Sequence, residues 1–281
     1  MLNQEVIKKI EDFVYSKPRS IQEVAHHISK NWRTADRYVL DIEKNFGTIT
    51  TRTFREGTRG ALKIVFWASI EKASSSVFQK ILEEQILSAR RKEDFSAFDI
   101  FQHVIDKNKK ASIEKANNEE GTDLKELANL LKQTKKQLLL LSGNLSFINL
   151  KDKNVDMFKI LEDLVKRGVS IKILCRVDII GRENIEKVLS LNFKYGKEMI
   201  EIRHKDHPIR AFVIDNNVIR IKEIKEPTGR IHELDKKIFI FYTIKDKDWT
   251  EWLCRIFWKM FTSSIGSEKR LEQMDKLKYV H

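Results

Sequence analysis

The sequence predicts an α+β, multidomain chain, and three observations carry that expectation. Up to residue 46, apolar residues recur at helical spacing and then give way to two β-branched or apolar runs. Glu71 to Lys92 keeps a helical pattern with no Gly or Pro. Beyond residue 136, strand-like runs alternate with amphipathic helices. At 281 residues the chain is long enough for two domains with cores of their own.

In the first seventy residues, Val6, Ile10, Phe13 and Val14 give a first helix, which Pro18 stops. Ser20 and Glu23 have capping-box spacing and open a second helix with Ile21, Val24, Ala25 and Ile28 on one face. The turn Ser29-Lys30-Asn31 leads to a third helix with Ala35, Val39, Ile42 and Phe46 inward, closed by Gly47. Thr48 to Phe54 and Ala61 to Trp67 read as two strands around Arg55-Glu56-Gly57-Thr58-Arg59-Gly60. Three helices and a hairpin in this order make an N-terminal winged helix-turn-helix, expected over residues 1–70.

That arrangement lays its third helix in the major groove of double-stranded DNA, its N-terminal residues at the base edges. Lys30, Trp32, Arg33, Thr34 and Arg37 are therefore candidate DNA contacts. An Arg can hold guanine O6 and N7 together. In the wing, Arg52, Arg55, Arg59 and Lys63 suit phosphates or the minor groove. Trp32 either stacks on sugar and methyl groups or packs on the second helix. His26 and His27 read as filler rather than ligands.

Residues 71–121 are expected to form a helical connector that serves dimerisation. Glu71 to Lys92 carries Val77, Phe78, Ile81, Leu82, Ile86 and Leu87, and a second helix is expected over Phe95 to Lys107. Lys107 to Gly121 has almost no apolar content and reads as a loop or a solvated helix end. A homodimer suits DNA half-sites about 34 Å apart.

The expected C-terminal α/β unit spans 122–265, starting with a helix that runs to Lys136. Strands are expected at Gln137 to Leu141, Val169 to Cys175, Met199 to Arg203, Arg210 to Ile214, Val218 to Ile224 and Lys237 to Thr243. Helices are expected at Met157 to Arg167, Arg182 to Leu191 and Lys247 to Ser263. Asp215-Asn216-Asn217 is a tight-turn sequence between two of the strands. Ser142, Asn144, Arg176 and Asp178, at strand ends, are candidate pocket residues. The tail, 266–281, is charged and reads as helical or frayed.

Bulk composition narrows the classes further. Lys and Arg number 53 against 41 Asp and Glu, a formal net charge of +12 that favours a polyanionic partner. The two cysteines, Cys175 and Cys254, form no metal-ligand spacing, and no cofactor is expected. No apolar run approaches a membrane span, and the N-terminus reads as an amphipathic helix, so a cytoplasmic, chromosome-associated protein is expected.

Two resemblances sharpen these expectations. The stretch Arg33-Thr34-Ala35-x-Arg37-Tyr38, followed by Ile42, Gly47 and Ile49, resembles the recognition helix and wing of bacterial and archaeal winged-helix regulators. There the positions of Thr34 and Arg37 commonly touch DNA. The C-terminal element order resembles one half of the phospholipase D fold, whose motif is His, Lys two residues later and Asp five beyond the Lys. Here Arg210 and Asp215 keep the second spacing, but Pro208 stands at the position of the nucleophilic His, and His207 is one residue out of register. The resemblance thus implies a degenerate, non-hydrolytic site, with Arg210 and Asp215 free to bind an anion or to pair with each other. Winged helix, helical connector and degenerate phospholipase D-like domain together resemble the TrmB family of archaeal transcription regulators. That resemblance implies a DNA-binding transcription regulator whose C-terminal domain senses a small molecule, often a sugar, or sets dimer geometry. A chromatin-type protein coating DNA, or a DNA phosphodiesterase using His207 or His204, are the alternatives.

Overall fold

The computed structural model describes residues 3–55, 61–68, 75–115, 124–152, 155–227 and 236–278. The chain opens with α1 (Gln4–Ser16), β1 (Arg19–Ser20), α2 (Ile21–His27) and α3 (Trp32–Asn45), then the hairpin β2 (Ile49–Arg55) and β3 (Ala61–Trp67). Ser20 and Glu23 form the capping box at α2: the Ser20 hydroxyl accepts from the Glu23 amide, and the Glu23 carboxylate from the Ser20 amide. Ser29, at φ +55°, turns the chain from α2 into α3. The two-residue β1, which the sequence pattern did not reveal, adds to β3 and makes a three-stranded sheet, β1-β3-β2.

The middle holds α4 (Ser75–Ser88), α5 (Ala97–His103), β4 (Lys109–Lys115) and α6 (Leu124–Lys132). Then come β5 (Gln137–Leu141), the small pair β6 (Lys151–Asp152) and β7 (Val155–Asp156), α7 (Met157–Lys166), β8 (Ser170–Cys175), α8 (Arg182–Tyr195) and β9 (Ile200–His204). The chain continues through β10 (Ala211–Ile214), β11 (Val218–Lys225), β12 (Ile238–Ile244), α9 (Lys247–Thr262), β13 (Ile265–Gly266) and α10 (Ser267–Lys278). Eight of these strands form one sheet in the order β13-β9-β8-β5-β10-β11-β12-β4. The β5–β8–β9 part is parallel and the rest antiparallel.

The four leucines of β5 show why this sheet is central. Leu138 and Leu140 enter the core under α6, α7 and α8, while Leu139 and Leu141 enter the one under α4, α5 and α9. A strand buried on both faces needs an unbroken apolar run. The Trp252 indole on α9 donates to the Gln79 carbonyl (3.0 Å) and ties α4 down.

The hairpin is also covered on both faces. Ile49 and Val65 join the core of α1–α3. Phe54, Leu62 and Ile64 enter the core of the large sheet, where the Phe54 ring lies 6.1 Å from Phe98, 6.2 Å from Phe101 and 6.3 Å from Tyr242. The N-terminal helices therefore reach the rest of the chain through a shared β-ribbon.

Several expectations need correction. The helix expected over Phe95–Lys107 ends at His103, and a 3₁₀ turn (Asp106–Asn108) follows. The segment 107–121, expected as a loop, contains strand β4, so residues 109–115 belong to the large sheet rather than to a connector. As an edge strand β4 needs only alternate apolar residues, and it has only Ala111 and Ile113. Helix α4 stops four residues short of Lys92. Residues 71–74 and 116–123 lie outside the described residues.

Phe54→Ala should remove the aromatic contact between the two cores. The expected loss is about 3–5 kcal/mol, read as a lower urea midpoint. A midpoint within error of the parent chain would show that the hairpin is not a structural bridge.

Candidate nucleic-acid interface

Helix α3 starts at Asn31, whose side-chain oxygen accepts from the Thr34 amide (2.9 Å), and its first turn holds no acidic residue. The positive end of the helix dipole is thus not offset there. Ala35, Val39 and Ile42 are fully buried, which turns Arg33, Arg37, Leu40, Asp41 and Lys44 to solvent. The Arg33 guanidinium lies 5.5 Å from the Trp32 ring and that of Arg37 5.6 Å from the Tyr38 ring. Trp32 itself is half-buried against the N-terminal core, so it packs rather than projects. Thr34 is half-buried and Lys30 exposed at the preceding turn.

The acidic side chains of α3 serve a different purpose. Asp36 pairs with Lys63 of β3 at 2.5 Å. Glu43 accepts from the Thr50 hydroxyl (2.5 Å), the Thr51 amide (3.1 Å) and the Thr51 hydroxyl (3.2 Å). These bonds fasten one flank of the helix to the hairpin and leave the basic flank outward.

The wing does not follow the expectation. Lys63, expected at phosphates, is engaged with Asp36. Arg52, expected on the same surface, projects from the opposite face of the ribbon, because it sits opposite Ile64 in the register. There it is 5.1 Å from the Phe101 ring and 3.6 Å from Asp106. Strand alternation sends Arg52 and Lys63 to opposite sides. Arg59 lies outside the described residues, as does the side chain of Arg55. The basic residues brought together are therefore those of α3 and the turn before it.

Of the three motif positions, Asp215 stands apart while His207 and Arg210 stay together. Asp215, at φ +49°, accepts from the amides of Lys135 and Lys136 (2.8 Å each) and Gln137 (2.9 Å), fixing the turn after β10. Arg210 precedes the other end of that strand and donates to the carbonyls of His207 (3.1 Å) and Ile209 (3.0 Å). The two do not pair: the strand between them holds them apart. His207 is buried at 3% exposure, its Nε2 3.0 Å from the Leu174 carbonyl and its Nδ1 without a partner. Burial, helped by the charge of Arg210, pushes its pKa down to about 4. His204 accepts from the Val177 amide through Nδ1 (2.9 Å).

Ser142, Asn144 and Arg176 do line one cleft, of about 790 Å³, at the carboxyl ends of β5 and β8. Asp178 instead pairs with Arg176 (2.7 Å) and accepts from the Gly181 amide (2.8 Å). The cleft also gathers Arg90, Arg91, Lys205 and Lys222, which sequence spacing did not group. The Arg90-Arg91-Lys92 run was the one local signal for them.

No protein-family model and no curated protein matches the chain. Solved structures similar to it include a phospholipase D family member, Nuc from Salmonella typhimurium (10% identity, 56% of this chain, 97% of the other, TM-score 0.40). NucT from Helicobacter pylori is similar over the same share (12% identity, 99% of the other chain, TM-score 0.39). TrmBL2, described as an archaeal chromatin protein with a novel mode of DNA binding, is similar over 94% of both chains (16% identity, TM-score 0.39).

The neutral, buried state of His207 is measurable. Because its folded pKa lies below the unfolded value, the stability it contributes is complete above about pH 6.5 and is lost as pH falls towards 4. Its ring protons should titrate with a midpoint near 4 by NMR. A midpoint above 6 would mean an open, solvated imidazole and would contradict the burial.

Proposed function

We propose that residues 1–70 form a winged helix-turn-helix and that the protein binds double-stranded DNA as a transcription regulator. The single observation that carries this reading is the exposed basic flank of α3, with Arg33 and Arg37 one turn apart beside an unopposed helix N-terminus. A helix mounted this way can enter a major groove while Lys30 reaches a phosphate. Arg52 and Lys63 are engaged elsewhere and take no part in the contact. The net charge of +12 supports the same polyanionic partner.

In this reading the C-terminal unit is a phospholipase D-like domain without hydrolytic activity. Pro208 offers no nucleophile, and neutral His207 is committed to a main-chain carbonyl. The protein acts as a homodimer, with Val77 and Ile81 on α4, both half-exposed, as apolar residues for a second copy to cover.

Arg37→Ala should cost about 1–3 kcal/mol of duplex affinity. Arg52→Ala, which faces away, should change it little. A gel-shift series on genomic fragments tests both. Equal effects of the two substitutions, or none from Arg37→Ala, would remove α3 as the reading element.

A further inference from the structure

The solvent face of α3 is a single stripe. Arg33, Arg37, Leu40, Asp41 and Lys44 recur at i, i+4, i+7, i+8 and i+11, across the helix from the buried Ala35, Val39 and Ile42. At 1.5 Å per residue the stripe runs about 16 Å, the length of about five base-pair steps.

Two of its members do not suit contact with a sugar-phosphate backbone. Leu40 is 46% exposed and joins none of the hydrophobic cores. Asp41 is exposed, and among the described residues its carboxylate makes no ion pair and no side-chain hydrogen bond. The other two carboxylates of the helix are committed to the hairpin, Asp36 to Lys63 and Glu43 to Thr50 and Thr51. A surface that only grips phosphates gains nothing from an isobutyl group, and an unpaired carboxylate repels the backbone. At base edges in a major groove both have partners. The thymine C5-methyl takes an apolar contact, and the cytosine N4 amine donates to a carboxylate. Arg37 one turn before Asp41 and Lys44 one turn after it offset its charge against the duplex as a whole.

We propose that Leu40 and Asp41 are specificity-determining residues: α3 selects duplexes that present a thymine methyl to Leu40 and a cytosine amine to Asp41, and does not coat DNA regardless of sequence. The proposal rests on the reading of α3 as the DNA-binding element.

Selection by the full chain from a random-sequence duplex library tests it, and should yield a shared motif. In the enriched duplex, deoxyuridine in place of each thymine in turn keeps the base pair and removes only the methyl. At one thymine this should weaken the parent chain about fourfold, and Leu40→Ala should be indifferent to it. Asp41→Ala should bind random duplex more tightly than the parent chain, because a repulsive charge is gone. Its preference for the enriched duplex over the random one should nevertheless fall at least about fivefold. Both side chains are exposed, so circular dichroism should not change. If the chain binds duplex and Arg37→Ala weakens it, yet the library stays random, the proposal is overturned while the DNA-binding reading stands. Deoxyuridine tolerance at every thymine, a deoxyuridine effect that persists in Leu40→Ala, or an unchanged preference in Asp41→Ala would each overturn it in the same way. Binding of no duplex at all would remove the reading and the proposal together.

Discussion

The burial of the β2–β3 hairpin on both faces is the constraint on which the rest of the molecule depends. Ile49 and Val65 close the core of the first three helices, while Phe54, Leu62 and Ile64 plug into the core of the large sheet. A two-stranded ribbon is marginal alone, so each core stabilises the element that the other needs. Its alternation then dictates which polar side chains face α3. Lys63 faces it and takes Asp36; Arg52 faces away and stacks on Phe101. The basic flank of α3 is outward because its acidic flank is held against the ribbon.

A second link reinforces this one with charge. Lys225, buried on β11, lies 3.4 Å from Glu23 at the start of α2 and 3.2 Å from Glu223. Burial alone would lower its pKa; the two carboxylates outweigh that and hold it above its ordinary value. Glu23 also accepts from the Ser20 amide, so one carboxylate caps α2 and anchors it to the sheet. Removing Lys225 would leave both carboxylates without their shared cation, a larger penalty than either pair's own attraction suggests. Nearby, the Asp99 carboxyl is pushed up to about 8, by burial first and by Glu223 second. The seam between the helices and the sheet is thus apolar at Phe54 and ionic at Lys225.

Much of this was legible in the sequence, for local reasons. The capping box at Ser20, the leucine run of β5 and the Asp215-Asn216-Asn217 turn each state their structure within a few residues, as does the stripe Ala35-Val39-Ile42, although Phe46, expected inward with it, is exposed. What was not legible depended on distant partners. β4 is mostly polar, and only β12 across the sheet makes a strand of it. The wing's cations looked equivalent because spacing does not say that both faces of the ribbon are covered. Arg210 and Asp215 matched a motif interval, yet a strand lies between them and each serves main-chain groups. The cleft was visible only at its β5 and β8 ends, because Arg90, Lys205 and Lys222 meet through tertiary packing.

The charge of the cleft and the burial of His207 act on one another. Cationic side chains gather at the carboxyl ends of β5 and β8, and Pro208 stands two residues before Arg210. His207, one residue away, is held neutral under Arg210 by desolvation and by that same charge. Glu93 and Asp206 line the same cleft and raise the Arg210 pKa, but burial and the charge of Arg176 outweigh them. Arg176 already occupies Asp178, the acid that follows β8. The charge that helps to keep His207 neutral thus comes from a side chain whose own position two main-chain carbonyls fix.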